Sequence, residues 1–149
     1  MILLSVRVKI KSTLFFILLL VTVLVQAQLH LGKTRDELIA VLGTNNVNLT
    51  DEEGDDVVAY INEIKGHPKY GDYTLYSIYV FENNKCIMQR TVMPVAQEED
   101  IIKGFNLKYE KVGDMAWKSK DSIYYVLSAD KDNLRTNIMS ESVYDRKRQ

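Results

Sequence analysis

The chain has 149 residues, with 46% hydrophobic and 26% charged side chains, which is globular composition and argues against a disordered chain. Three of its 19 basic residues (Arg7, Lys9, Lys11) lie in the first 27 residues, which hold no acid, so the rest carries 16 basic against 20 acidic groups, a net of −4. A mildly acidic body has no general attraction for nucleic acid or anionic lipid, one Cys excludes an intrachain disulfide, and one Cys with two His is too few for a Cys/His-only zinc site.

The amino terminus has the parts of a secretory signal. Arg7, Lys9 and Lys11 form a cationic start, Leu14 to Val25 an uncharged run interrupted only by Thr22, and Val25-Gln26-Ala27 a cleavage sequence. The run is short of the ~20 apolar residues that span a bilayer. Cleavage after Ala27 is expected, with no membrane span afterwards and a periplasmic or secreted location. No Cys follows the run to take an acyl anchor. Residues 28–142 then form one domain, and 143–149 a polar tail.

The first element of that domain is Thr34 to Leu42. Thr34-Arg35-Asp36-Glu37 is a capping box, Leu38, Ile39, Val41 and Leu42 make an apolar stripe, and Gly43 supplies the stop. Thr44 to Asp56 reads as a polar loop. Its acids (Asp51, Glu52, Glu53, Asp55, Asp56) lack the alternating spacing and central Gly of a calcium loop, so no metal site is expected.

Val57 to Ile64 is a strand by its β-branched and aromatic content, Gly66 to Gly71 a turn, and Tyr73 to Phe81 a strand apolar on both faces, hence central. Glu82-Asn83-Asn84-Lys85 is a hairpin turn, and Cys86 to Met93 its return strand, ended by Pro94. Gln97-Glu98-Glu99-Asp100 opens a second helix carrying Ile101, Ile102, Phe105 and Tyr109, closed by Gly113-Asp114. Met115 to Lys118, Ser122 to Ser128 and Leu134 to Ser140 complete a second set of three strands. The turns are short enough to require antiparallel neighbours. The expected fold is therefore α+β: an antiparallel sheet with two short helices packed on one face, in the order αβββ-αβββ. The shared order of the halves raises a degenerate repeat.

Helix one and its flanks, Leu31-Gly32-Lys33-Thr34-Arg35-Asp36-Glu37-Leu38-Ile39-Ala40-Val41-Leu42-Gly43, resemble the SmpA/OmlA (BamE) family and related β-lactamase-inhibitor-protein-like domains. In these, a Gly, a capped Thr or Ser, a short helix and Leu-Gly precede a β-meander, to which Tyr79-Val80-Phe81-Glu82-Asn83-Asn84-Lys85 is similar. The lipidation Cys of that family is missing, and Thr44 stands where its Pro commonly follows Leu-Gly. The resemblance implies a small non-catalytic module that binds other envelope proteins.

Catalytic motifs are lacking: no G-x-S-x-G elbow, H-E-x-x-H or phosphate loop occurs. Cys86 in an apolar strand reads as a core thiol rather than a nucleophile served by His67. All nine tyrosines follow the leader. Tyr73, Tyr76, Tyr79, Tyr124 and Tyr125, with Trp117, form the candidate binding surface for a peptide, glycan or partner protein, against the alternative that they are ordinary strand and core residues. The functional expectation is an exported, non-enzymatic binding or envelope-associated module without cofactor. The alternatives are a small secreted hydrolase using paired carboxylates and an inhibitor whose Gly66 to Gly71 loop enters another enzyme's site.

Overall fold

In the computed structural model, residues 30–50 and 54–149 are described, so the leader, its cleavage point and Asp51, Glu52 and Glu53 lie outside the described residues. Helix α1 (Arg35–Leu42) starts on the expected box: the Glu37 amide donates to Thr34 Oγ1 at 3.3 Å, and the Thr34 amide to Glu37 Oε2 at 2.8 Å. Four strands follow, β1 (Val47–Thr50), β2 (Asp56–His67), β3 (Gly71–Glu82) and β4 (Lys85–Pro94). A 3₁₀ turn at Val95–Gln97 leads into α2 (Glu98–Lys108). The second set is β5 (Glu110–Gly113), β6 (Ala116–Lys118), β7 (Ile123–Ala129) and β8 (Asn133–Ser140), closed by α3 (Glu141–Lys147).

All the pairings are antiparallel, and the sheet runs β1-β2-β3-β4-β8-β7-β6-β5. The α+β class holds, but the order is αββββ-αββββ-α rather than αβββ-αβββ. Three expectations are corrected. The Thr44 to Asp56 loop contains β1, which pairs Val47 with Ala59 and Thr50 with Asp56. Glu110–Gly113 forms the other edge strand, although each of its residues is exposed. Residues 143–149 are not a free tail, because Val143 and Tyr144 of α3 are buried.

Helices pack on both faces of the sheet, α3 over only part of its own, which also corrects the one-sided arrangement. Side chains alternate along a strand, so register assigns each to a face. Val58, Tyr79, Phe81 and Cys86 lie under α1, packed on Leu38. Met93, Leu134, Ile138, Tyr125 and Trp117 lie on that same face under Ile101 and Phe105 of α2. Between these clusters runs a buried polar seam of Gln89, Thr91 and Thr136. The opposite face carries Val57, Val80, Met88, Met139 and Tyr124, and these are what Val143 and Tyr144 cover. A bulge at Ile87 lets Cys86 and Met88, both even-numbered, point to opposite faces: Cys86 pairs with Phe81 and Met88 with Val80. Asn83 and Asn84 make the β3–β4 turn with φ of 50° and 59°, the left-handed pair that a two-residue hairpin turn requires.

Candidate cationic groove on the open sheet face

The tyrosine surface expected from sequence is not assembled. Trp117 and Tyr125 are fully buried under α2, with the Trp117 indole N–H donating to Asn106 Oδ1 at 2.8 Å. Tyr79 is buried under α1 beside His30, whose ring meets it edge-on at 5.7 Å. Burial pushes the His30 imidazole pKa down and the Tyr79 phenol up. Tyr124 is buried on the opposite face, stacked on Tyr144. Only Tyr73, half-buried, and Tyr76, 40% exposed, keep outward surface, and they point to different faces. These aromatic residues sit in strands because they pack well there.

Nor do Cys86 and His67 meet. Cys86 opens β4 opposite Phe81, whereas His67 ends β2 opposite Gly71, ten residues along β3 and about 30 Å away at ~3.3 Å per residue. Burial pushes the Cys86 thiol up to about 12. His67 Nδ1 accepts the backbone N–H groups of Lys69 and Tyr70 at 3.3 and 3.1 Å, which commits it to shaping its turn. The tip of that turn is tied down. Lys69 Nζ lies 2.6 Å from Asp100 Oδ2, and the Tyr70 hydroxyl donates to the same oxygen, so the tip is fastened to α2. The two hydrogen bonds, Lys69 first, hold the Asp100 carboxyl below the usual range. Among the described residues, no three or more His, Cys, Asp or Glu side chains converge to hold a metal.

The described residues do form a groove of about 460 Å³ where α3 ends over the sheet. Its position follows from the anchoring of α3. Arg146 clasps Glu82 with two parallel bonds of 2.9 and 3.0 Å. At the other end, Glu141 accepts from Lys118 Nζ at 2.7 Å and from the Tyr124 hydroxyl at 3.0 Å. Tyr144 lies flat on Tyr124, with ring centroids 4.1 Å apart and planes 17° from parallel. The last helical turn then carries Lys147 and Arg148 over the strands.

Below them, β4 contributes Arg90 and β8 contributes Arg135 and Asn137, all facing the α3 side. Arg90 and Asn137 are opposite in register, and Arg90 Nε donates to Asn137 Oδ1 at 2.8 Å, which fixes the guanidinium and leaves its outer N–H groups for other acceptors. Arg135 Nη1 is 2.7 Å from Asp130 Oδ2. Asp130 is first of all a turn residue: it accepts the amides of Asp132 and Asn133 at 3.0 and 2.8 Å, which with Arg135 pulls its carboxyl down to about 2. Arg148 has its guanidinium carbon 5.4 Å from the centre of the Tyr144 ring.

Four cations thus converge on one concavity: Arg90, Arg135, Lys147 and Arg148. Among the described residues lining it none is acidic, and its floor includes Met88, Val126 and Met139. Asp130 pairs with Arg135 at the edge of the groove, and Lys147 also borders a second groove lined by Asp55 and Glu82. Mutual repulsion between the cations is relieved by an anion, and planar guanidinium groups suit carboxylate and phosphate oxygens.

Sequence reasoning missed this site. Arg135 and Asn137 alternate with Leu134, Thr136 and Ile138, and Arg90 with Gln89 and Thr91, which marks one outward face per strand. Nothing local says that β4 and β8, whose Arg90 and Asn137 are 47 residues apart, lie side by side. Comparison of the chain with family models, with curated proteins and with solved structures finds no match.

Proposed function

We propose that this protein is an exported, non-enzymatic binding module, periplasmic or secreted after loss of Met1 to Ala27, that takes up an anionic ligand through the groove between α3 and the sheet. One observation carries the reading: Arg90, Arg135 and Arg148, with Lys147, meet in a single concavity whose lining, among the described residues, holds no acid. Its volume lies in the ~300–1,000 Å³ range of small-molecule sites. The separation of Cys86 from His67 supports binding over thiol catalysis, and the fastened Lys69–Tyr70 tip weighs against the inhibitor alternative. An envelope role agrees with the resemblance carried by residues 31–43. No helix among the described residues is long and apolar enough to cross a membrane.

The test is titration of the purified protein with citrate, inorganic phosphate and sulfate, followed by calorimetry and thermal denaturation. Binding of at least one anion, weakening as salt is raised and lost in Arg90→Gln/Arg148→Gln, is expected. Failure of every anion to bind or to raise Tm refutes the reading. Intact mass and cell fractionation test the export half, with Gln28 expected as the first residue.

A further inference from the structure

The groove does not end at its cations. Two cross-strand rows on its face can be read from the register. One runs Ile61, Tyr76, Val92, Arg135, Ser128, and the other Ala59, Ile78, Arg90, Asn137, Val126. Each row changes character midway: apolar across β2 and β3, then cationic or polar at Arg135 and Ser128 in the first and at Arg90 and Asn137 in the second, which returns to apolar at Val126. At ~4.8 Å per strand the five positions span about 19 Å. Val143 and Tyr144 of α3 cover the next row, Val57, Val80, Met88, Met139 and Tyr124, and Lys147 and Arg148 lie over the β4–β7 part of these two, whereas Ile61 and Tyr76 stay exposed. The apolar half stays open to solvent: Ile61 is 53% and Tyr76 40% exposed, and Ile78 and Val92 are half-buried. Exposed aliphatic and aromatic side chains abutting a cationic concavity ask for a partner with the same two-part chemistry.

We propose that the ligand is an anionic amphiphile, a single-chain alkyl phosphate or carboxylate. Its head sits among Arg90, Arg135 and Arg148, and its chain lies across Val92, Ile78, Tyr76 and Ile61. This rests on the anion-binding reading and adds the apolar arm to it. The concavity favours a small head over an acidic polymer, because α3's last turn closes the cationic end rather than leaving a track across the surface. The apolar side chains lie directly beside the cations in register, so one short chain can touch both.

The probes are inorganic phosphate, octyl phosphate below its micelle-forming concentration and octyl glucoside. Each is titrated into the purified protein and followed by NMR at the Arg90 and Arg135 Nε–H signals and the Ile61 and Val92 methyl groups. Octyl phosphate is expected to bind at least 30-fold more tightly than phosphate and to move both sets of signals. Ile61→Thr/Val92→Thr, which keeps strand-favouring residues, should remove that gain while leaving phosphate binding intact. Arg90→Gln should weaken both phosphates at least tenfold. Arg148→Gln, at an exposed position, repeats the test should Arg90→Gln lose the fold. Equal affinity for phosphate and octyl phosphate overturns the amphiphile and leaves the anion site standing. Failure of both overturns the two readings together. Binding of octyl glucoside as tight as that of octyl phosphate overturns recognition of the head. Sedimentation with anionic vesicles, without binding of monomeric octyl phosphate, overturns the proposal in favour of a membrane surface.

Discussion

Replacing Tyr144 by Ala tests whether the C-terminal helix is part of the folded body. The ring is 9% exposed and stacked on Tyr124. Losing a buried side chain of this size removes about 1.5–3 kcal/mol of apolar burial, and losing the aromatic pair about 0.5–1.5 kcal/mol more. The expected cost is about 2–4 kcal/mol, or a fall in Tm of roughly 8–15 °C for a domain of this length. Tyr144→Phe keeps the stack and should stay within about 0.5 kcal/mol of the parent. Urea denaturation of both variants, with Tyr124→Ala and the double variant closing a cycle, should return a coupling of about 1 kcal/mol between the rings. Coincident unfolding curves for Tyr144→Ala and the parent would refute docking of α3, and with it the geometry that carries Lys147 and Arg148 over Arg90.

The remaining predictions bear on chemistry seen elsewhere in the fold. Cys86, buried and with its thiol raised to about 12, should resist a disulfide-exchange reagent at pH 8 until denaturant is added; prompt labelling of the native protein would contradict its place under α1. Asp130 is depressed to about 2 when folded, so its contribution is present above its unfolded value near 4 and lost as pH falls through about 2. Stability against pH between about 4 and 2 should therefore be flatter in Asp130→Asn than in the parent, and parallel curves would be the negative result. Asp100→Ala should release the Pro68 to Tyr70 tip, read as faster amide hydrogen exchange there with little change in global unfolding. Unchanged exchange would show that the tip is held by its own turn.

What could be read along the chain was whatever is decided locally. The Thr34 box, the Asn83-Asn84 turn and the Pro94 strand end each follow from the conformational limits of one or two residues, and each stands where expected. The missing elements are those that exist only through their partners. Glu110–Gly113 has no buried residue and is a strand because β6 lies alongside it. Val47–Thr50 has β2 as its one strand neighbour, at an edge where Asn48 and Thr50 look like loop residues. The helix at 141–147 is too short to stand without the sheet, although Glu141 in its first turn with Arg146 and Lys147 in its last is the charge order that a helix favours. The groove eluded composition for a related reason. A net charge averages over the surface, whereas β4 beside β8, with the end of α3 laid over them, gathers Arg90, Arg135, Lys147 and Arg148 in one place.

The placement of β8 has a consequence for how the chain comes together. The last strand in sequence is fifth of eight in space, running from Pro94–Asn133 to Met88–Met139 as the seam between two meanders. A growing polypeptide that stops short of residue 133 possesses two separate ribbons with raw inner borders, at β4 and β7, and no strand to join them. Emergence of the final residues both stitches the ribbons and completes the cationic cluster, so the groove is the last feature to form.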